Sequence, residues 1–317
     1  MRIDNLIFVL HIPVLLNEVL EYLNPRPNQN FVDCTINGGG HGLEILGKIK
    51  PGGKLLGIDW DKETIKGLDD SDKRIEAGEN LILVCGNYSN LKDIIEENNF
   101  YPVNGILFDL GMSSWDLEES GRGFSFSKDE PLDMRYSQAQ ETTARKIINH
   151  WPEEELKRIF FEFGEERRAR AIAKKICLAR KNKAIERTTD LVEIIKITIP
   201  ARYASQSVAG GPARFRFGRI HFATRVFQAL RIAVNKELDN LRQGLEGALD
   251  VLAPDGRIVV ISFHSLEDRI AKNFFKDKAK EGRLQILTKK PIGPSFEEKE
   301  ANPRARSAKL RAIIKLR

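Results

Sequence analysis

Four short apolar runs in the first third of the chain constrain its fold more than any other feature. They cover residues 31–36, 55–58, 81–85 and 105–108, and each leads into glycine or aspartate. Helix-like polar stretches separate them. Strands that alternate with helices form parallel sheets with helices on the faces. The sequence therefore predicts an α/β fold with a parallel sheet.

The pattern changes after the fourth run. A stretch rich in Gly, Ser and Asp covers residues 111–133, and helical periodicity with many charges follows over 144–196. No strand alternation is evident there, which indicates a helical insertion. We therefore assign residues 112–217 to an inserted helical domain, and residues 1–111 and 218–317 to the α/β domain.

The α/β pattern resumes in the last third of the chain. One long amphipathic helix is predicted over 219–252, followed by a strand over 257–262 and a helix from Ser265. Two further runs, 284–287 and 310–314, have no predicted helix between them and should pair as an antiparallel hairpin at the sheet edge. A parallel sheet that ends in an antiparallel pair is typical of the class I methyltransferase variant of the Rossmann-like fold.

Charge and cysteine usage favour a soluble cytoplasmic protein. The three cysteines are too widely spaced for a disulfide framework or a zinc knuckle. The apolar stretch 6–16 is short, is interrupted by His11 and Pro13, and lacks a cleavage site. We therefore expect neither a signal peptide nor a membrane span.

Basic residues are concentrated in three segments. Residues 156–187 carry 11 Lys or Arg against 4 Asp or Glu, and 303–317 carry six basic and no acidic residues. Residues 214–219 (RFRFGR) interleave cations with rings that can stack on bases. Each segment alone is also typical of a solvated surface. Together they predict contact with RNA and steeply salt-dependent binding.

A glycine-rich turn follows the first predicted strand. Residues 38–42 contain four glycines at the start of a helix, where exposed N–H groups favour a carboxylate or phosphate. Asp59 ends the second strand, where it can bind both ribose hydroxyls of an adenosyl cofactor or cap the next helix. Nicotinamide dinucleotides and S-adenosylmethionine both use this arrangement. Leu43 replaces the third glycine of the dinucleotide pattern, which favours the methyl donor.

Two further strand ends carry candidate site residues. Tyr88 follows the third strand, where its ring can stack on an adenine or pack in the core. Asp109 follows the fourth strand. Ligands of open α/β sheets bind beyond the carboxyl ends of the strands, so Asp109 is expected to face the reacting centre.

Seven motifs are distributed over nearly the whole chain. They are residues 11–16 (HIPVLL), the glycine-rich turn, 109–114 (DLGMSS), 123–126 (GFSF) with 131–135 (PLDMR), 223–232 (ATRVFQALRI), 262–269 (SFHSLEDR) and 302–311 (NPRARSAKLR). In this order they closely resemble the bacterial 16S ribosomal RNA cytosine-N4 methyltransferase family.

The resemblance implies an S-adenosylmethionine-dependent enzyme whose Rossmann-like catalytic domain is interrupted by a helical substrate-recognition domain. The implied substrate is one cytidine in the decoding centre of 16S ribosomal RNA, within the small ribosomal subunit. Carried over residue by residue, the cofactor contacts are Gly39, Gly40, His41, Asp59, Tyr88, Asp109 and Asp116. The family more often has Phe at the position of Tyr88 and Gln at that of Asp116. The sequence leaves open whether the chain forms a homodimer, for which the predicted long helix could supply the interface.

Methylation of cytosine N4 requires a hydrogen-bond acceptor, because the amino lone pair is delocalised into the ring. A carboxylate or a backbone carbonyl at the end of the fourth strand can supply this acceptor. Our hypothesis is that Asp109 orients the methyl donor, the target amine or both. The rings that would stack on a flipped cytosine, or else pack in the insertion, are Trp115, Phe124 and Phe126. Further candidates for shaping the pocket are Asp133, His221 and His264. No cluster of residues has metal-ligand spacing.

Three other functions remain open from the residues alone. A nicotinamide-dependent reductase is compatible with the glycine turn and Asp59. An RNA-binding assembly factor without catalytic activity would share the fold. An enzyme that methylates DNA amino groups would share the chemistry, but the Pro-Pro-aromatic motif of that class is absent after Asp109.

Overall fold

The computed structural model describes residues 13–198 and 221–317, which belong to two units. The α/β unit comprises Met1–Ser113 and Leu238–Arg317, and the insertion unit comprises Ser114–Glu237. The sequence-based boundary placed residues 218–237 with the α/β domain, whereas the described part of this segment, 221–237, belongs to the insertion unit.

Seven strands form one sheet in the α/β unit. The strands are β1 (Phe31–Asp33), β2 (Leu55–Asp59), β3 (Leu81–Cys85), β4 (Val103–Asp109), β5 (Leu252–Ser262), β6 (Leu284–Ile286) and β7 (Lys309–Lys315). Their order is β3-β2-β1-β4-β5-β7-β6. The first five pair in parallel, and β7 pairs antiparallel with both β5 and β6. The predicted parallel sheet with an antiparallel pair at one edge is confirmed.

Helices lie before these strands and between them in the sequence. They are α1 (Leu16–Leu23), α2 (Gly40–Ile49), α3 (Lys62–Asp69), α4 (Asp72–Ala77), α5 (Leu91–Glu97), α6 (Ser114–Glu118), α7 (Ala144–His150), α8 (Glu153–Glu162), α9 (Ala169–Ala179), α10 (Thr188–Ile197), α11 (Thr224–Asn235), α12 (Glu237–Val251), α13 (Ser265–Lys280) and α14 (Phe296–Ala301). Within the described residues, no helix has the length and apolar character that a membrane crossing requires.

Both faces of the sheet are covered, which explains why its strands are apolar at nearly every position. Successive strand residues point to opposite faces. On β5, Ile258 and Val260 belong to one core, and Val259 and Ile261 belong to the other. Helices α5, α12 and α13 close the first core, while α1, α2 and α3 close the second.

The prediction of a single long helix over 219–252 is wrong. Lys236 adopts a left-handed conformation with φ 52°, and it separates α11 from α12. The buried side chain of Asn235 donates to Met134 O at 2.8 Å and accepts from Tyr136 N at 2.9 Å. These bonds tie the end of α11 to a distant part of the insertion unit, and the chain turns there.

The segment between β6 and β7 also differs from expectation. It contains the short helix α14, where none was predicted. Ser295 Oγ caps this helix by accepting from Glu298 N at 3.1 Å, and Glu298 Oε1 accepts from Leu15 N at 2.7 Å. The helix therefore attaches the C-terminal hairpin to the start of α1.

The insertion unit is helical, as predicted. Its core includes the fully buried Leu156 and Phe160 of α8, Ile172 of α9 and Leu230 of α11. The predicted RNA-binding segment 214–219 and the first two residues of the HIPVLL motif lie outside the described residues.

Candidate active site at the carboxyl ends of the strands

Strands β1 and β4 are neighbours, although two other strands separate them in the sequence. From β1 the chain continues to β2 and β3 on one side of it, and then crosses to β4 on the other side. Connections that diverge in this way open a crevice at the carboxyl ends of the two strands, where α/β proteins bind their ligands. Asp33 ends β1 and Asp109 ends β4, so both lie at this crevice.

The glycine-rich turn forms one wall of the crevice. Asn37 and Gly39 have positive φ values of 45° and 81°, and Gly39 N donates to Ile36 O at 2.7 Å. Asn37 N donates to Asp59 Oδ2 at 3.2 Å, which ties the turn to the end of β2. A Cβ atom added to Gly38 would meet nothing within 4 Å. The backbone of the turn is therefore open at Gly38, whereas Gly39 is buried.

The left-handed conformation of Gly39 predicts that a side chain at this position destabilises the fold. Gly39→Ala should lower the free energy of unfolding by about 1–2 kcal/mol, because a side chain disfavours this φ. Leu43 Cδ1 would also lie 3.0 Å from the new Cβ. The matched control is Gly38→Ala, which should change stability by less than about 0.5 kcal/mol. Urea denaturation checks both, and equal stabilities of the two variants would contradict the assigned conformation.

Asp59 lies at the end of β2 as predicted, and it does not cap the following helix. Its Oδ1 accepts from Asp61 N at 2.9 Å. Asp61 itself caps α3 by accepting from Glu63 N at 3.1 Å. Of the two interpretations left open by the sequence, the structure excludes the helix cap, and the contact with a ribose stays a prediction.

Tyr88 packs at the edge of the core. Its ring meets Phe108 edge-on, with centroids 5.5 Å apart and planes at 90°. A Cβ atom on Gly244 of α12 would lie 2.7 Å from Tyr88 Cδ2, so glycine is needed for this approach. The ring stays half-buried, and its contact with an adenine stays a prediction.

A buried histidine links the glycine turn to the end of β4. His41 Nε2 donates to Val14 O at 2.8 Å, while its Nδ1 lies 3.4 Å from Asp109 Oδ2. Asp109 N donates to Thr35 Oγ1 at 2.8 Å, which fixes the strand end. Asp109 Oδ1 is buried and has no hydrogen-bond partner among the described residues. One carboxylate oxygen thus lies close to His41, and the contact of the other with a ligand stays a prediction.

The electrostatics of this group favour a charged histidine. Burial alone would lower the pKa of His41, but the hydrogen bond and charge of Asp109, with the charge of Asp33, raise it. An acceptor faces each ring nitrogen, and only the imidazolium can donate to both. Burial raises the pKa of Asp33 to about 6, although the charge of His41 opposes this.

Sequence reasoning missed Asp33. Its side chain is fully buried, and Thr35 N donates to its Oδ1 at 3.1 Å. The available signal was an acidic residue within a run whose neighbours are all apolar. Two carboxylates and one imidazole group therefore lie at this crevice.

The insertion unit contains most of the remaining candidates. Asp116, on α6, is buried, and its Oδ1 lies 3.5 Å from Arg122 Nη2. The ring of Phe124 is buried and stacks on Tyr136, with centroids 5.3 Å apart. Trp115 is 40% exposed. Asp116 thus belongs to an ion pair in the insertion unit, and its contact with a cofactor stays a prediction.

The other pocket candidates have local partners. Phe126 stacks on His221 at a centroid distance of 4.4 Å. Asp133 accepts from Arg135 Nε at 2.8 Å. His264 caps α13, where its Nδ1 accepts from Glu267 N at 3.4 Å.

A family model described as the MraW methylase family matches residues 8–316. The chain belongs to this family. Two relatives are each 44% identical to it over 321 residues. Both are named ribosomal RNA small subunit methyltransferase H. The one from Clostridium botulinum (strain Loch Maree / Type A3) aligns over 96% of this chain and 99% of its own length. The one from Symbiobacterium thermophilum aligns over 96% of each.

Among solved structures, a Streptococcus mutans protein in complex with SAH matches 96% of this chain and 99% of its own. The TM-score is 0.43 and the sequence identity is 9%. This similarity is too low to indicate a function.

Membership of the MraW methylase family bears on the functions that the sequence left open. It argues against a nicotinamide-dependent reductase, since a methylase needs a methyl donor. In this MraW family member, a hydrogen bond connects the glycine turn with Asp59, and His41 Nδ1 lies 3.4 Å from Asp109 Oδ2. The resemblance stated from the motifs is confirmed at the level of the family.

Proposed function

We propose that this chain is an S-adenosylmethionine-dependent methyltransferase that methylates the exocyclic N4 of a cytidine in the decoding centre of 16S ribosomal RNA. The observation that carries the proposal is the buried Oδ1 of Asp109, which has no hydrogen-bond partner among the described residues, beside a glycine turn that is open at Gly38. The names of the relatives support a ribosomal RNA substrate. The choice of atom and nucleotide rests on the motif resemblance. The enzyme would act in the cytoplasm on the small ribosomal subunit.

The residues of the crevice fit S-adenosylmethionine. This cofactor, when bound, supplies a methyl group activated by the positive charge of its sulfonium. Gly39 and Gly40 would contact it through the backbone, and Asp59 would accept hydrogen bonds from its ribose hydroxyls. Two carboxylates, the buried Asp33 and the half-buried Asp109, lie near the imidazole of His41. Carboxylates suit a cationic ligand.

Asp109 performs the central task in the proposed mechanism. Its Oδ1 would accept a hydrogen bond from the cytosine amino group, which concentrates the nitrogen lone pair on N4 as that atom becomes tetrahedral. The same oxygen would take up the proton that N4 loses as the new N–C bond forms. His41 holds Oδ2, so the carboxylate presents a fixed direction to the amine. Holding the amine in line with the methyl group removes much of the entropic part of the barrier.

Methyl-labelled S-adenosylmethionine tests the proposal directly. The purified protein is incubated with small ribosomal subunits from a strain that lacks the gene, and the digested RNA is examined by mass spectrometry. We expect the label in N4-methylcytidine. Label in another nucleoside would contradict the assigned atom, and bound cofactor without any label would favour an RNA-binding factor without catalytic activity.

A further inference from the structure

An open cavity of about 460 Å³ lies beside the carboxyl end of β5, entirely within the α/β unit. We refer to it as the β5 cavity. The residues after β5, the loop before α14 and the segment before β7 form its walls, and Phe263, His264, Lys299, Arg306, Ser307 and Lys309 are among its lining residues. Its volume lies in the range of small-ligand sites.

The β5 cavity is cationic. Lys299, Arg306 and Lys309 line it, and no carboxylate belongs to its described lining. Lys309 Nζ lies 3.7 Å from Asp268 Oδ2, so its charge is partly balanced. The side chains of Lys299 and Arg306 are exposed and form neither an ion pair nor a hydrogen bond within the described residues. Two uncompensated cations therefore face one concave surface.

His264 adds a buried polar atom to this wall. Its side chain is 10% exposed, and its Nε2 lies 3.1 Å from Glu267 Oε1. The geometry of that approach makes no hydrogen bond, so Nε2 has no hydrogen-bond partner within residues 13–198 and 221–317. A buried ring nitrogen without a partner is costly unless a ligand or water satisfies it.

The β5 cavity is adjacent to the candidate active site. Asp109 pairs with Ile261 in the sheet register, and Phe263, which lines the cavity, follows two residues later. The Phe263 ring also packs against the turn after β4, because a Cβ on Gly111 would lie 3.0 Å from Phe263 Cδ2. A ligand chain that crosses the end of β4 would continue into this cavity.

We propose that the β5 cavity binds a phosphodiester group of the RNA substrate next to the methylated nucleotide, with Lys299 and Arg306 as its cationic ligands. The identity of the RNA rests on the proposed function. Unbalanced cations beside an aromatic ring are typical of surfaces that bind single-stranded nucleic acid. The closeness to Asp109 favours RNA over an acidic protein partner, since a polynucleotide that reaches the active site must extend beyond it.

The double variant Lys299→Ala/Arg306→Ala of the full chain tests the site. The probe is a fluorescein-labelled single-stranded RNA oligonucleotide that carries the decoding-centre cytidine, and its dissociation constant is measured by anisotropy over a series of KCl concentrations. Each lost phosphate contact should reduce the slope of log Kd against log salt by about 0.7, so the two together should reduce it by about 1.4. S-adenosylmethionine binding, measured by calorimetry, should be unchanged.

The matched control is Lys66→Ala/Lys92→Ala. It removes the same charge from two exposed side chains on α3 and α5, which flank the other half of the sheet. Its salt slope should equal that of the wild type. Ser307→Glu, which places a carboxylate in the β5 cavity, should weaken RNA binding at low salt.

A double variant with the wild-type salt slope, or a wild type that does not bind the oligonucleotide, would overturn the β5 cavity as an RNA site. So would an unchanged slope with altered self-association in sedimentation, which would indicate a second copy of the chain as the occupant. A failure of the proposed function can be distinguished from a failure of the β5 cavity as an RNA site. If the wild type forms no N4-methylcytidine while the slope still differs between the variants, the cavity stands without the assigned reaction.

Discussion

Asp109→Ala is expected to reduce methyl transfer by about a hundredfold or more, the loss typical when a group that stabilises the transition state is removed. The physical reason is the single oxygen, Oδ1, that the structure leaves buried and unpartnered at the crevice. His41 would lose the carboxylate beside its Nδ1 at the same time. Single-turnover transfer of labelled methyl groups to small ribosomal subunits measures the effect.

Two further variants separate chemistry from stability. Asp93→Ala removes an exposed carboxylate on α5 and should leave transfer unchanged. Asp109→Asn retains a carbonyl oxygen as an acceptor but loses the charge that faces His41. Partial activity in this variant would indicate that orientation matters more than charge. Turnover of Asp109→Ala near the wild-type rate would refute the role assigned to Asp109.

Asp33 predicts an unusual dependence of stability on pH. Burial raises its pKa from 3.8 to about 6, so the folded state binds this proton more tightly than the unfolded state does. The stabilisation is complete below the unfolded pKa and is lost as the pH rises through about 6. Relative to Asp33→Asn, the wild type should lose up to about 3 kcal/mol of unfolding free energy across this window.

The raised pKa of His41 acts in the same direction. Its contribution is present below its ordinary pKa and is lost as the pH rises through the folded value. The groups that face Asp33 are His41, Asp109 and the N–H and hydroxyl of Thr35. Urea denaturation at several pH values measures the difference, with Asp93→Asn as the exposed control. Parallel curves for the wild type and Asp33→Asn would show that Asp33 is not desolvated.

Much of the α/β unit was predictable because its strands are covered on both faces. A strand such as β5 must then be apolar at consecutive positions, which leaves an unbroken run in the sequence. The positions of Asp59 and Asp109 followed from the same logic, since the residue that ends a parallel strand lies at the ligand-binding edge.

Features that depend on distant contacts were not predictable in this way. The break at Lys236 has no local signal, because it accompanies hydrogen bonds from Asn235 to Met134 and Tyr136. Asp33 was missed because its importance arises from His41 and Asp109, which only the fold brings near it. By contrast, α14 does have a local sequence signal, a Ser followed three residues later by a Glu. The Pro and Gly residues around it favoured the prediction of a loop instead.

The neighbouring strands β4 and β5 also determine how the chain must assemble. Residues 110–251 lie between them, and the whole insertion unit is contained in that stretch. If this stretch were a flexible loop, closing it would cost about 4 kcal/mol of conformational entropy. The insertion unit is one continuous segment, so it can fold first and fix the separation of its own ends. A mutation that loosens its helical core would then slow the joining of β4 to β5 and weaken the catalytic sheet without touching a residue of that sheet.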